Sequence, residues 1–160
     1  MIVLLLSIFI FNWIAFTMNK RLTTNQTVHI WCFTNAFQMT FDLFVEFKYY
    51  GYWYFTKKIE WLGQLPHLLI VPPVNIIFLN WYPFRKKLRK RILYILLWSI
   101  GLICYELTVL LPEPFGYFHY GWWKIWYTVI LDPILLVILV LFYKWICKIE
   151  SNLRQSDGPE

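Results

Sequence analysis

Arg85-Lys86-Lys87-Leu88-Arg89-Lys90-Arg91 runs without a break into Ile92-Leu93-Tyr94-Ile95-Leu96-Leu97-Trp98-Ser99-Ile100-Gly101-Leu102-Ile103-Cys104-Tyr105, and this junction decides the fold. Six basic side chains stand directly against an apolar run that continues to Leu111 and is stopped by Pro112. Water suits the first part and expels the second. A bilayer accommodates both, because its hydrocarbon core takes roughly 20 consecutive apolar residues as a helix. Lysine and arginine next to such a run are held on the cytoplasmic face. The basic cluster Arg85, Lys86, Lys87, Arg89, Lys90 and Arg91 therefore reads as a cytoplasmic anchor. A sharper reading is specific binding of an acidic lipid or partner.

Outward from that junction, four more stretches have the length and character of spans. Residues 2–17 are short but very apolar, 28–47 are amphipathic, 65–84 are interrupted by Pro72-Pro73, and 125–146 contain Asp132-Pro133. With 92–111 they predict an all-α integral membrane helical bundle of about five transmembrane helices in one domain over residues 1–150. A disordered cytoplasmic tail is expected over 151–160. Four spans is the alternative, if 28–47 lies on the surface or the first segment is cleaved. That first segment has no charged side chain before Thr17 and no convincing small-x-small cleavage site, so a retained helix is expected.

Composition agrees. The chain is 59% hydrophobic, 22% aromatic and 15% charged, where soluble domains carry about 45–50% apolar and about 25% charged residues. The net charge of +6 does not indicate nucleic acid, because the charges stand at the ends of apolar runs. The expected partner is the lipid bilayer. Cys32, Cys104 and Cys147 are far apart with no CxxC spacing, and read as small hydrophobes. No cofactor is identifiable.

Orientation follows from counting. Eleven basic residues fall on one set of alternate connections and four on the other. The richer set belongs inside, which predicts a plasma-membrane protein with its N-terminus outside and its C-terminus in the cytoplasm. The two outer connections, 49–61 and 115–127, are rich in tyrosine and tryptophan. Such rings favour the headgroup level, so both are expected to lie along the membrane as short interfacial segments. An aromatic cage for a cationic ligand is the alternative.

Of the nine acidic residues, six fall in the outer half of this topology or just beyond it: Asp42, Glu46, Glu60, Glu106, Glu113 and Asp132. Asn35, Gln38, Asp42 and Glu46 share a stripe roughly 80° wide at the helical angle of about 100° per residue. Carboxylates at such depth face the bundle interior and find partners. The stripe would line a hydrated cavity, bond neighbouring helices or face a partner subunit. His67, Glu106 and Asp132 are expected near the same depth, so Asp42, Glu46, His67, Glu106 and Asp132 form the candidate polar cluster. One histidine among carboxylates suits a divalent cation, a proton relay or acid–base work, although no spacing here is diagnostic of a metal. The plainer alternative is a paired polar core, with Lys48 or Lys124 neutralising a carboxylate. His29 and His119 read as interfacial. Pro72 and Pro73 remove two backbone donors and should kink or break their helix, with Asn75 close enough to bond the freed carbonyls.

The chain also resembles a family of small, uncharacterised multi-pass membrane proteins from spore-forming Gram-positive bacteria. The resemblance is carried by Leu65-Pro66-His67-Leu68-Leu69, Val71-Pro72-Pro73-Val74-Asn75 and Asn80-Trp81-Tyr82-Pro83-Phe84. It continues through Leu111-Pro112-Glu113-Pro114 and Gly116-Tyr117-Phe118-His119-Tyr120-Gly121-Trp122-Trp123, and covers most of residues 52–150. It implies a bacterial plasma membrane and assigns no activity or functional residue.

No glycine-rich phosphate loop, HExxH, GxSxG or DxxD pair is present. The leading expectation is an accessory or assembly protein of the envelope, as a homo-oligomer or with a membrane partner. One alternative is an enzyme acting on a lipid at the outer leaflet, with Glu106 or Asp132 and His67 as acid and base. The other is a small cation- or proton-coupled transporter built around the broken third span.

Overall fold

The computed structural model describes residues 1–112 and 114–156; Glu113 and the last four positions of the tail, residues 157–160, lie outside the described residues. The elements in chain order are α1 (Ile2–Thr17), α2 (Thr24–Asp42) with a π-helical turn after it (Leu43–Lys48), β1 (Tyr52–Tyr54), α3 (Trp61–Leu69), α4 (Val71–Trp81), α5 (Leu88–Val109), β2 (Phe118–Tyr120) and α6 (Ile125–Ser156). Since α3 and α4 run on from each other, the molecule is an all-α bundle of five rods with one small β-ribbon. Three stretches are long and apolar enough to cross a membrane: Trp61–Trp81, Leu88–Val109 and Ile125–Leu153. Helix α1 is apolar but has 16 residues, about 24 Å at 1.5 Å per residue, short of a core of about 30 Å. Helix α2 is long enough but carries Asn35, Gln38 and Asp42.

The bundle is apolar outside, and its interior sets buried polar side chains among apolar ones. Phe9, Trp13, Leu93, Leu97, Ile130 and Leu141 are exposed, while Ser7, Thr34, Asp42, Glu46, His67 and Ser99 are buried. Water would favour the opposite arrangement; hydrocarbon favours this one. The chain is a multi-pass helical membrane protein.

The helix ends explain why the rods stop where they do. Thr23 and Gln26 form a reciprocal capping box at the start of α2, pairing two donors that a helix start leaves free. The third rod breaks at Ile70, and the prolines occupy the first turn of α4, where a missing N–H costs nothing. The carbonyl this leaves free at Leu69 accepts from Asn12 Nδ2 of α1 at 2.8 Å. Asn75 does not serve that carbonyl. It lies on the far side of the break and donates across the bundle to Thr34 Oγ1 at 3.0 Å. Helix α6 runs uninterrupted through Pro133 and on past Glu150, so the expected disordered tail is helical as far as Ser156. Glu150 is held there by Asn25 Nδ2 at 2.7 Å and by Gln26 Nε2.

The rods pass back and forth between two ends. At the basic end, Arg85, Lys86, Lys87, Arg89 and Lys90 are exposed. Arg91 donates to the carbonyl of Phe84. Arg21 donates to the carbonyls of Tyr82 and, at 3.4 Å, Leu79, closing the end of α4. At the opposite end the two aromatic connections meet each other. They pair as an antiparallel ribbon, Tyr52 with Tyr120, Trp53 with His119 and Tyr54 with Phe118. His119 stacks on Trp53 with ring centres 6.0 Å apart. Gly121 permits the ribbon to close: a Cβ there would lie 2.1 Å from the Tyr50 carbonyl oxygen.

Candidate cation site

Asp42 ends α2, Glu46 lies four residues later in the π turn, and His67 projects from α3 just after Pro66. The π turn shows in the bond from Tyr49 N–H to the Phe44 carbonyl, five residues back at 2.9 Å. Such turns are rare in helices and recur at functional sites. Its effect here is to keep Glu46 turned inward beside Asp42, while α3 packs against α2 and brings His67 between them. All three side chains are buried, with His67 and Asp42 at 0% exposure.

The imidazole stands between the carboxylates. His67 Nδ1 is 2.9 Å from Asp42 Oδ2 and Nε2 is 3.0 Å from Glu46 Oε2. Only the Nε2 contact has the alignment of a hydrogen bond; Nδ1 has none, despite its closeness to Asp42. One donor atom from each residue falls within 4.8 Å of the others, so the three can together hold a metal ion. Asp42 also accepts from Gln38 Nε2 at 2.9 Å and from the Tyr52 hydroxyl of the ribbon. Burial, with the Asp42 carboxylate beside it, pushes the Tyr52 phenol well above its ordinary pKa, so it remains a donor. Tyr54 sets its ring edge-on to His67 with centres 4.8 Å apart. Two buried carboxylates thus share one imidazole and two neutral donors.

The five acidic and histidine candidates divide into two groups. Glu106 accepts from the Tyr120 hydroxyl and from Thr128 Oγ1 at 3.1 Å, and Trp123 Nε1 donates to that same Thr128 at 3.1 Å. Asp132, one turn beyond Thr128, is within electrostatic range of Glu106, and its Oδ2 is buried without a hydrogen-bond partner. The Tyr54 phenol lies between the groups, close enough to feel Asp42, Glu46 and Glu106, and burial raises its pKa well above the ordinary value. Neither of the two candidate lysines neutralises these acids: Lys48 lies over the rings of Phe44 and Tyr49, and Lys124 is exposed.

A cavity of about 680 Å³ opens beside both groups, within the bundle and lined by α1, α2, α4, α5 and α6. Gln38, Tyr52 and Tyr54 line it on one side, with Asp42 and His67 directly behind them; Glu106 and Asp132 line it on the other. The cavity lies where the α5 backbone runs close to α6 and reaches α4 and α1 through long side chains, as Tyr94 donating to the Phe78 carbonyl at 3.1 Å and Phe11 edge-on to Tyr105.

The residues that sequence reasoning did not place here are the tyrosines. Tyr52, Tyr54 and Tyr120 occur in aromatic-rich connections, where every ring looks like an interfacial anchor. The assignment of Tyr52 and Tyr120 to carboxylates, and of Tyr54 to the edge of His67, goes with the pairing of two strands separated by three helices. Asn12 was equally silent, since one asparagine in an apolar run gives no partner. The chain matches no protein family, no curated protein and no solved structure with which it was compared.

Proposed function

We propose that this protein is a small cation- or proton-coupled transporter of a bacterial plasma membrane, with Asp42, Glu46 and His67 as the coupling site. The observation that supports it is the charge imbalance: two buried carboxylates face one imidazole, with no lysine or arginine paired to them among the described residues. Burying an uncompensated charge costs several kcal/mol even after relaxation. A proton or a metal cation removes that cost. Its binding therefore stabilises one state of the bundle, which is the requirement for coupling.

The geometry suggests how the ion is held. The reading takes the tautomer in which Nε2–H donates to Glu46, which leaves a lone pair on Nδ1 beside Asp42 Oδ2. That edge is the ion acceptor, in the manner of a metal-bound histidine oriented by a carboxylate behind it. Nδ1 with the Asp42 carboxylate, and Glu46 behind the ring, makes a nitrogen–oxygen edge of the kind zinc or manganese takes. We take the topology to be five-pass, with the N-terminus outside and the basic end in the cytoplasm; on that reading the site lies in the outer half of the membrane. Three residues of the α2 stripe, Gln38, Asp42 and Glu46, find partners inside the same chain, which favours this reading over assembly through that face.

The test is zinc and manganese titration of the purified protein in nanodiscs by calorimetry. Proton release would be followed in parallel in proteoliposomes loaded with a pH-sensitive dye. One saturable ion per chain is expected, with proton movement when the ion is added from the ribbon side. Both should be lost in the Asp42→Asn, Glu46→Gln double variant. If the double variant binds and exchanges as the unaltered protein does, the triad is structural and the proposal fails.

A further inference from the structure

The cavity has two unlike ends. Its long wall is apolar, running from Tyr94, Leu97 and Trp98 on α5 to Leu136 and Leu139 on α6. Its ribbon end gathers the rings of Phe118 and Trp123 together with the carboxylates of Glu106 and Asp132. Among the described residues no lysine, arginine or histidine lines it. From Tyr94 to Glu106 the wall extends about 18 Å at the helical rise, and its volume lies within the roughly 300–1,000 Å³ of small-molecule sites.

We infer that this chamber binds an amphipathic alkylammonium cation, its head among Phe118, Trp123, Glu106 and Asp132 and its tail along the apolar wall of α5 and α6. Three observations converge. Asp132 Oδ2 is buried with no donor on it, and Glu106 is served by hydroxyl donors on Oε1 alone. Both therefore retain acceptor capacity toward a charge the protein does not itself supply. Aromatic rings with carboxylates are the recognised environment of substituted ammonium groups, held by the ring faces and the nearby negative charge. Finally, a zwitterionic phospholipid would bring a phosphate against these acids with no basic side chain to meet it. The head is thus cationic without a phosphate. This inference names the substrate class of the transport reading and rests on it for any movement of the bound cation across the membrane, but not for binding itself.

The structure also supplies a block. A Cβ added to Gly101 meets nothing within 4 Å, and Gly101 lines the chamber. Gly101→Phe therefore adds bulk at the chamber lining from a position where a new side chain meets no neighbour.

The experiment measures retention of radiolabelled dodecyltrimethylammonium by the protein in dodecyl maltoside, against dodecanol and dodecanoate, each corrected for protein-free micelles. Zinc binding at the triad is recorded on the same samples as a check of folding. One saturable cation per chain is expected, at least tenfold tighter than dodecanoate. Glu106→Gln with Asp132→Asn should weaken the cation at least tenfold and leave dodecanol unchanged. Gly101→Phe should abolish saturable binding of both while zinc binding persists. Equal retention of the three amphiphiles, or unchanged cation binding in either variant, overturns the inference. So does displacement of the cation by lysophosphatidylethanolamine at lower concentration, which would assign the chamber to a membrane phospholipid. Binding without flux in proteoliposomes leaves this site standing and removes the transport reading instead.

Discussion

The two ends of the bundle use charge in opposite ways. At the basic end most charges are wet: five of the six cluster residues are exposed, and Arg21 and Arg91 direct their donors to helix-terminal carbonyls. The ribbon end has exposed charges too, on Lys57, Lys58, Glu60 and Lys124, but it also holds a dry set: Asp42, Glu46 and His67 are enclosed, and Glu106 and Asp132 face an apolar chamber. Exposed charges in water contribute little to stability, and beside an apolar span they are the kind that orients a chain. Enclosed ones are costly unless matched, so their arrangement is far more constrained. Chemistry in such a protein therefore belongs at the end where charge is hidden.

The largest effect should come from removing the shared imidazole. His67→Ala leaves two facing carboxylates and should cost about 3–5 kcal/mol, read as a fall in thermal midpoint in detergent. Adding Asp42→Asn and Glu46→Gln to it should restore much of the loss, and no rescue would mean that the imidazole acts by packing alone. Next, Tyr52→Phe removes a donor from a buried acid. It should cost about 1–3 kcal/mol and, through the ribbon contact, weaken ion binding at the triad by about 10–100-fold, measured by zinc titration. Asn12→Ala should cost about 1–3 kcal/mol by orphaning the Leu69 carbonyl. It should leave ion affinity nearly unchanged, which separates the helix break from the site. The smallest stability change belongs to the basic end. Replacing Arg85, Lys86, Lys87, Arg89 and Lys90 by glutamine should move stability by about 0.5 kcal/mol or less per residue. It should nonetheless yield chains of mixed orientation. Cysteines placed at Tyr54, Leu88 and Tyr120 report this directly: in the parent only the Leu88 position should resist a membrane-impermeant thiol reagent applied to intact cells.

Membrane character was legible because apolar length and clustered basic charge are local signals. The carboxylate pair Asp42 and Glu46 was legible for the same reason, since four-residue spacing puts them on one face. His67 was legible beside them as a shared depth, but its place between the two carboxylates was not, because it comes from another rod. Tyr52 was hidden altogether: it comes from a strand that exists only through a partner beyond α3, α4 and α5. Separation of the acids into two groups was also hidden, because depth along a span says nothing of which side of the bundle a residue faces. Asn75 was misdirected for a related reason: nearness in sequence to the broken turn suggested a local bond, whereas the side chain points to α2. The π turn left no trace either, as its residues are compatible with an ordinary helix.

The ribbon bears on the order in which the molecule is completed. Its strands belong to connections on either side of three helices, so β2 has left the ribosome only after α5 has been made. Such distant pairings are the slow, late events of folding, after the nearer contacts have formed. Until then Asp42 lacks the Tyr52 hydroxyl as the ribbon presents it, and Glu106 lacks that of Tyr120. A nascent chain carrying only the first three helices would hold its acids half-served, and arrival of β2 would be the event that seals them.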